Sequence, residues 1–568
     1  MSDQLHVARA FEEIALLLRL SDENAFKARA YERGARVVMD LDEQALASKI
    51  EDGTLTLVEG IGTKLATQIQ ELTSTGTSSV LDQLRSQHPP GVVALARIPG
   101  LTIRRIRGLH EGLGIGSVEE LREACVAGRV RTLPGFGAKT EERLLKAIER
   151  AAQPREPARM LLVDGQVLAG RLARALTGSV ASEVAVAGGV RRCEETVAEI
   201  ELVVVTSDEK AVWQRVERMP WVTRVEVSSS TARLSQGIAL RLWCTSAADA
   251  ALATIRTTGP DAHVQGLEER ARQRGTTLVE VGAEVGAAGG AGAEGGEAGV
   301  YRALDVPFVP PEVRGTPADF DGRGYDDLLA TSDILGMVHC HTTYSDGRNT
   351  IEEMARAAEV MGMQYITITD HSPSAHYARG VTLDRLKEQW DEIASVQDRV
   401  GIRILRGTES DILADGALDY PDDVLERFDI VIASIHARHK LDRERMTERL
   451  VRAMSAPIFK VWGHALGRIL LSREPFECDV PRVLDALAGA RGAIELNGDP
   501  HRLDLPPAWI PAARERGIPF VVSVDAHSTK GLNVLPLGVQ MARRGGLRRH
   551  EVLNTLPAAE LAARVRPI

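Results

Sequence analysis

Three features that mark special classes of protein are missing from this sequence of 568 residues. Its five cysteines are widely scattered and form no Cys-x-x-Cys pair, which argues against a disulfide framework or a cysteine-type zinc finger. No run of about 18 apolar residues occurs, so we expect no membrane span. The first residues lack a basic segment followed by an apolar stretch, so we expect no secretory signal and a cytoplasmic protein.

An excess of positive charge is also missing, because the formal net charge is -10. The composition is otherwise that of an ordinary globular chain, with 44% hydrophobic and 26% charged residues. The length predicts several domains rather than one core. Any contact with nucleic acid must therefore depend on individually placed groups and not on bulk charge.

Three short segments in the N-terminal part repeat one pattern. They are residues 58–64 (Val-Glu-Gly-Ile-Gly-Thr-Lys), 98–104 (Ile-Pro-Gly-Leu-Thr-Ile-Arg) and 133–139 (Leu-Pro-Gly-Phe-Gly-Ala-Lys), each between stretches of helical periodicity. Two glycines permit a tight turn whose backbone N–H groups point outward at the start of a helix, where a phosphate fits. The pattern resembles the helix-hairpin-helix motif, which implies sequence-independent binding of DNA; an inert turn is the alternative. The DNA-binding candidates are Gly60, Gly62, Lys64, Gly100, Gly135, Gly137 and Lys139.

Residues 188–201 read Gly-Gly-Val-Arg-Arg-Cys-Glu-Glu-Thr-Val-Ala-Glu-Ile-Glu. This segment is similar to the palm motif of family X DNA polymerases, the class that fills short gaps in repair. The resemblance implies that Gly188, Gly189, Arg191 and Arg192 contact an incoming deoxynucleoside triphosphate. It places Glu199 and Glu201, as catalytic ligands of Mg²⁺ or Mn²⁺, where the family has two aspartates.

The palm motif departs from the family pattern at its metal ligands. Glu199 and Glu201 share one face of the predicted strand, but each is one methylene longer than aspartate, whereas Mg²⁺ demands near-ideal geometry. A third aspartate is expected in the strand at 238–242, where Ala239 stands. We therefore expect a polymerase core that is weakened or dependent on Mn²⁺. The alternative is a palm retained only to hold DNA.

The segment Met337–Gly347 contains His339 and His341, which alternate along a strand-like run and so face one side. Imidazole is the commonest protein ligand of transition metals. Further histidines and acids recur at the C-terminal ends of apolar runs at 365–371, 405–409, 430–436, 460–464 and 521–527. That end of the strands carries the active site in α/β barrels. The pattern predicts metal-dependent hydrolysis.

These positions match the pattern of the PHP (polymerase and histidinol phosphatase) family of metal-dependent phosphoesterases. The resemblance implies a distorted seven-stranded (β/α)7 barrel that holds up to three Zn²⁺ or Mn²⁺ ions. The implied ligands are His339, His341, Asp346, His371, Glu409, His436, His464, Asp525 and His527. Glu409 and Asp525 are the expected bridges between ions. Arg468 is a candidate catalytic clamp for substrate phosphate, with a surface charge as the alternative.

The sequence as a whole resembles a bacterial family X DNA polymerase joined to a PHP domain, a multidomain α+β core followed by an α/β barrel. The predicted parts are residues 1–85 (small helical domain), 86–153 (fingers-like), 154–246 (palm), 247–315 (thumb-like, with a Gly/Ala-rich loop at 283–299), 316–334 (linker) and 335–568 (PHP). The expected function is DNA repair: 3′–5′ exonuclease action or 3′-end processing beside a gap-filling polymerase core. We expect a monomer that is associated with the nucleoid and acts on gapped DNA or 3′ ends. A small-molecule phosphatase of the histidinol-phosphatase type and a non-catalytic DNA-binding scaffold are the alternatives.

Overall fold

The computed structural model describes residues 3–21, 25–41, 43–75, 78–89, 91–96, 98, 101–152, 158–219, 221–287, 296–315, 317–320, 322 and 324–565. The chain forms two compact units, Met1–Ala158 with Trp213–Ala239 and Arg159–Val212 with Leu240–Ile568. No helix among these residues has both the length and the apolar composition needed to cross a membrane.

The N-terminal part is helical, as predicted. Its helices are α1 (Asp3–Leu20), α2 (Ala25–Asp40), α3 (Glu43–Glu51), α4 (Thr63–Thr75), α5 (Ser79–Ser86), α6 (Val92–Leu95), α7 (Ile103–Leu113), α8 (Val118–Val126) and α9 (Ala138–Ala152). Residues with helical spacing, among them Phe11, Ile14 and Leu17, form its apolar core. Local signals define helix starts, because Ser117 and Glu120 make a reciprocal capping box at α8.

The palm region follows with strands and short helices. Its elements are β1 (Met160–Leu161), α10 (Leu162–Leu176), β2 (Glu183–Ala187), α11 (Gly188–Arg191), β3 (Thr196–Val197), β4 (Glu199–Val205), α12 (Glu209–Glu217), β5 (Val222–Glu226), β6 (Thr231–Leu234) and β7 (Ala239–Thr245). Strands β2, β4 and β7 are neighbours in that order, and β2 pairs antiparallel with β4. Strands β5 and β6, which belong to the other unit, pair antiparallel with each other.

A thumb-like helical region lies between the palm and the barrel. It contains α13 (Ala250–Thr258), α14 (Asp261–Gln273), α15 (Leu278–Ala287) and α16 (Gly296–Ala303) around a small core that includes Ile255, Leu267 and Val300. The loop predicted at 283–299 is helical at both ends, and its middle lies outside the described residues. The segment predicted as a linker is well packed at Leu328 and Leu329, which are buried.

The C-terminal part confirms the predicted seven-stranded barrel. Its elements are β8 (Gly336–Cys340), α17 (Ile351–Val360), β9 (Tyr365–Ile368), α18 (Leu383–Gln397), β10 (Arg403–Asp411), α19 (Asp422–Leu425), β11 (Ile430–Ser434), α20 (Arg443–Met454), β12 (Lys460–Trp462), α21 (Val480–Ala488), β13 (Gly492–Asn497), α22 (Ile510–Glu515), β14 (Phe520–Ser523), α23 (Leu535–Arg544) and α24 (Ala558–Val565). The strand order is β14-β13-β12-β11-β10-β9-β8, and the pairs are parallel.

The first and last strands close the barrel just beyond their C-terminal ends. The N–H of His341 donates to the carbonyl of Ala526 at 2.9 Å, and the N–H of Ala526 donates to the carbonyl of His339 at 3.1 Å. Strands β9, β11 and β14 are buried along their whole length, as expected for parallel strands covered on both faces. Polar groups therefore collect at the rim where the strands end.

Candidate metal centre and nucleic-acid interface

All nine predicted ligands lie at one rim of the barrel. They are His339 in β8, His341 and Asp346 just after it, His371 after β9, Glu409 in β10, His436 after β11, His464 after β12, and Asp525 and His527 after β14. Cys340, which lies between His339 and His341 in the sequence, packs among core residues instead. The rings of His339 and His341 converge with their centroids 5.2 Å apart. The structure thus brings the whole predicted set together.

The carboxylate of Glu409 is the hub of this cluster and is almost fully buried. Its Oε1 lies 2.8 Å from His464 Nε2, 3.2 Å from His436 Nε2 and 3.4 Å from His339 Nε2. Its Oε2 lies 3.0 Å from His371 Nδ1 and 3.6 Å from His341 Nε2. Each oxygen thus faces a different group of imidazoles, which is the arrangement that a carboxylate bridging two ions requires.

The two aspartates extend the cluster on its other side. Asp525 Oδ1 lies 3.4 Å from His341 Nε2 and 3.6 Å from His339 Nε2. Asp346 Oδ1 lies 3.4 Å from His527 Nε2 and 3.7 Å from His371 Nε2. The donor atoms form three groups of ligand-like spacing: His341, Asp346, His371 and His527; His339, His341 and Glu409; and His371, Glu409 and His436.

The donor set fits divalent metal ions. Among the buried side chains that the structure describes, His339 Nε2 and both ring nitrogens of His341 complete no hydrogen bond. A buried polar atom without a partner is costly, and a metal ion satisfies an imidazole lone pair. Nitrogen and oxygen donors in this mixture suit borderline transition metals better than Mg²⁺ alone. The rim is therefore a candidate metal centre.

The acids of the cluster are held in the form that ligates metal. Burial opposes ionisation of Glu409, but the surrounding histidines, His436 first, hold its pKa well below the ordinary value. Burial likewise opposes the ionisation of Asp346, yet His527 and its neighbours lower its pKa to about 2. Burial and the neighbouring His371 lower the pKa of His341 to about 4, so this imidazole is neutral and ready to ligate.

Three ligands have an unusual backbone conformation that the sequence did not indicate. The φ angles of His339, His464 and Asp525 are +65°, +23° and +48°. Such values are rare outside glycine and cluster at functional sites. The positive φ angle of His339 coincides with a register shift in the pairing of β8 with β9. His339 and His341 therefore converge through a local bulge and not through simple strand alternation.

Sequence reasoning missed two carboxylates that orient the ligands. Glu495 in β13 accepts a hydrogen bond from His339 Nδ1 at 2.5 Å and also one from the backbone N–H of His464. Asp411 accepts from His436 Nδ1 at 2.5 Å. Such partners fix the tautomer, so that Nε2 of each histidine faces the cluster. The sequence feature that could have indicated the role of Glu495 is its position inside the apolar run of β13, the one barrel strand without a predicted ligand.

Sequence reasoning also missed the cation that touches the cluster. Arg502, in the loop after β13, places Nε 3.3 Å from Asp525 Oδ2. Arg468, the predicted phosphate clamp, is hydrogen-bonded to protein groups. Its guanidinium donates to the carbonyls of Arg502 and Leu503 and to the carboxylate of Glu195. Tyr377 is exposed beside the cluster, with its ring centroid 5.8 Å from that of His371.

The three hairpins share one backbone hydrogen bond. The N–H of residues 61, 101 and 136 donates to the carbonyl three residues earlier at 3.0, 3.1 and 3.1 Å. Gly60 and Gly135 have φ angles of +93° and +83°, which require glycine. A Cβ at Gly62 or Gly137 would meet nothing within 4 Å, so these exposed glycines leave space for a ligand to approach the backbone.

The second hairpin differs from the other two at its helix start. Thr102 caps α7 by accepting a hydrogen bond from the backbone N–H of Arg105 at 3.4 Å. The predicted DNA contact Gly100 lies outside the described residues. Lys64 and Lys139 are both exposed. A cavity of about 1080 Å³ opens between the second and third hairpins and includes Arg104 and Gly135.

The palm carboxylates do not fit a pair of Mg²⁺ ions. Glu199 forms an ion pair with the partly exposed Arg241, with 3.4 Å between Glu199 Oε2 and Arg241 Nε. Burial, with Glu199 nearby, raises the pKa of Glu201 to about 7. Position 239, where a third acid would stand, is alanine. Gly188 has a φ angle of +61°, which favours glycine, and a Cβ there would also overlap the Glu201 carboxylate.

The predicted nucleotide contacts Arg191 and Arg192 are already paired with protein groups. Arg191 donates to Thr258 Oγ1 at 2.8 Å and forms an ion pair with Glu297. Arg192 lies 2.5 Å from Glu194. The carboxylate of Glu194 in turn fills the space where a Cβ on Gly189 would lie.

Four family models match parts of the chain. The PHP domain covers residues 338–498, and the DNA polymerase beta thumb covers residues 253–315. A helix-hairpin-helix domain covers residues 2–78, and a SAM-like helix-hairpin-helix tandem covers residues 92–150. These matches cover the hairpins, most of the thumb-like region and the barrel from within β8 to β13.

Relatives of two kinds share this sequence. The "DNA polymerase/3′-5′ exonuclease PolX" of Bacillus subtilis (strain 168) is 32% identical over 98% of this chain and 98% of its own length. A "Probable phosphatase" of Thermoanaerobacter sp. (strain X514) is 30% identical over 38% of this chain and 89% of its own length, and one of Caldanaerobacter subterraneus is 28% identical over 38% and 85%. The first of these relatives spans the hairpins, palm, thumb and barrel together, and the chain therefore belongs to the PolX family of bacterial DNA polymerases.

Proposed function

We propose that the metal centre removes nucleotides from the 3′ end of DNA in repair, as a 3′–5′ exonuclease or 3′-end-processing activity. The observation that carries this proposal is the convergence of nine predicted ligand side chains at one rim, in a chain that also has helix-hairpin-helix domains. The expected ions are Zn²⁺ or Mn²⁺. The expected substrates are gapped DNA or 3′ ends, bound by a monomer in the cytoplasm and associated with the nucleoid.

Different residues of the chain would bind the ions, orient the imidazoles and bind the substrate phosphate. The nine predicted ligands would hold the ions, and Glu495 and Asp411 would keep the imidazoles oriented. Bound divalent ions supply Lewis acidity towards a phosphate oxygen and make a water molecule more acidic. Arg502 supplies a fixed positive charge beside Asp525 for a substrate phosphate.

An exposed aromatic ring favours a nucleic-acid end over a small phosphate ester. Tyr377 is 67% exposed although it borders buried histidines. Aromatic side chains beside single-stranded nucleic acid bind by stacking on a base, which is independent of sequence. This position suits a terminal nucleobase whose phosphate lies at the cluster.

The phosphatase alternative is supported by the relatives that match only the barrel. A comparison of kcat/KM for 3′-labelled gapped DNA and for p-nitrophenyl phosphate, with Mn²⁺, separates the two functions. The nuclease proposal predicts chelator-sensitive release of mononucleotides with the higher kcat/KM on DNA. Turnover of the small ester alone would establish the phosphatase, and turnover of neither would favour a scaffold.

For the palm we propose gap filling that is weak with Mg²⁺ and better with Mn²⁺. The pairing of Glu199 with Arg241 and the raised pKa of Glu201 support this proposal. Primer extension on gapped DNA in the two metals tests it. Efficient extension with Mg²⁺ would contradict it. The six predicted parts of the chain, with the palm at 154–246, also stand as part of this proposal.

A further inference from the structure

Glu195 belongs to the palm motif but its carboxylate faces the barrel domain. Its Oε1 lies 3.1 Å from Arg468 Nη2, and its Oε2 lies 2.8 Å from Arg544 Nη1. Burial opposes its ionisation, but Arg544 and Arg468 hold its pKa below the ordinary value, so the carboxylate is charged. The function proposed above gives this residue no role.

Arg468, which pairs with Glu195, also forms hydrogen bonds with the loop that follows β13. Its Nε donates to the carbonyl of Arg502 at 2.8 Å, and its Nη2 donates to the carbonyl of Leu503. Leu503 is 1% exposed and packs with Leu162 and Cys193 of the palm region. The palm therefore holds this loop by a charged contact and by an apolar one.

The same loop presents Arg502 to the metal centre. The guanidinium of Arg502 lies 3.3 Å from Asp525 Oδ2, while its backbone carbonyl is the one held by Arg468. The path from Glu195 to a predicted metal ligand thus passes through two arginines. A loop residue keeps such a position only when its backbone is held in place.

We propose that Glu195 is a positioning residue for the metal centre: through Arg468 it holds the 499–505 loop so that Arg502 meets Asp525 and the substrate phosphate. The phosphoesterase centre then depends on the palm even where the palm does not polymerise. This rests on the proposed nuclease function for its catalytic consequence and on the contacts alone for its structural consequence.

The variant Glu195→Gln tests the proposal in the full chain. Glu312→Gln is the matched control, because Glu312 also forms an ion pair with α23, at Arg543, without touching the 499–505 loop. With Mn²⁺ and 3′-labelled DNA, we expect kcat of Glu195→Gln to fall about 10- to 100-fold, the loss that a small misplacement of a positioned group produces. We expect KM and DNA affinity to change less than about threefold, and the control to resemble the wild type.

Hydrogen–deuterium exchange provides a readout that does not need activity. Backbone amides of residues 499–505 should exchange several-fold faster in Glu195→Gln than in the wild type, and at the wild-type rate in Glu312→Gln. Adding Glu195→Gln to Arg468→Met should cost little beyond the single change, because both act on one contact. Glu195→Asp, which keeps the charge, should recover part of kcat.

Two results would overturn the proposal: unchanged exchange of the loop in Glu195→Gln, or equal losses of kcat in Glu195→Gln and Glu312→Gln, which would mean simple docking. If the wild-type protein released no nucleotides, the proposed function would fail, and the exchange comparison would still decide whether Glu195 positions the loop.

Discussion

Replacement of Glu495 by glutamine should disable the metal centre without removing a ligand. The Glu495 carboxylate accepts from two groups of donors: His339 Nδ1–H at 2.5 Å on Oε1, and the backbone N–H of His464 with the side-chain amide of Asn497 on Oε2. A glutamine has one acceptor oxygen and one amide nitrogen, so it can satisfy only one of them. The backbone N–H cannot change, so the oxygen pairs with it and the amide NH₂ faces His339 Nδ1.

His339 must then take its other tautomer and protonate Nε2. That nitrogen is the one aimed at Glu409 and Asp525, so it no longer serves as a ligand. Loss of such an orienting partner weakens metal binding by about 10- to 100-fold, which corresponds to about 1.4 to 2.8 kcal/mol. We expect the exonuclease activity at limiting Mn²⁺ to fall by the same factor, and to recover in part at high Mn²⁺.

The assay is a Mn²⁺ titration of the chelator-treated protein, by calorimetry or by electron paramagnetic resonance of free Mn²⁺. Glu444→Gln is the control, because Glu444 forms an exposed ion pair with Arg482. Equal thermal unfolding of the metal-free proteins shows that the fold is intact. A Mn²⁺ affinity of Glu495→Gln within twofold of the wild type would refute the argument.

Three further outcomes are expected. The double variant Lys64→Ala with Lys139→Ala should weaken DNA binding. Because two phosphate contacts are lost, the slope of log affinity against log salt concentration should become shallower by about 1.4 to 1.8. A filter-binding salt series measures this slope, and an unchanged slope would contradict the prediction. Tyr377→Ala should raise KM for 3′-labelled DNA about 5- to 100-fold, the loss of one stacked base, with p-nitrophenyl phosphate turnover unchanged; equal effects on both substrates would exclude stacking. Glu201 has its folded pKa raised to about 7, so its contribution to stability is present below the unfolded value and is lost as the pH rises through about 7. The gain in melting temperature of Glu201→Gln over the wild type should therefore grow from pH 5 to pH 9, and a gain independent of pH would show that burial of this acid is not costly.

The candidate ligands could be grouped from the sequence because most of them lie at or near the C-terminal end of an apolar strand, as at His436 and His464, and because the set matches a family pattern. The fold followed from the same alternation of strands and helices. Glu495 could not be identified, since its role depends on the pairing of β13 with β14 and on the closure of the barrel beside β8, which bring it to His339 from far along the chain. The positive φ of His339 also has no signature in the residue types.

The palm illustrates a different limit of sequence reasoning. The substitutions at Glu199, Glu201 and Ala239 were visible, but their consequence depends on a tertiary neighbour. Arg241 pairs with Glu199, and only the structure shows that this arginine lies against the acid. In the same way Arg468 reads as a clamp for phosphate because it lies four residues after His464. Its donors in fact point to Glu195 and to the loop of Arg502.

The central claim is that one metal centre cleaves DNA that separate hairpins bind. The double variant His339→Ala with His341→Ala tests it most directly, by measuring nucleotide release from 3′-labelled gapped DNA and affinity for the same DNA in parallel. We expect nucleotide release by the double variant to fall to the level that the wild-type protein shows with chelator. The affinity for DNA should stay within about threefold of the wild-type value, because the hairpins are intact. Retained nuclease activity, or equal loss of activity and affinity, would contradict it.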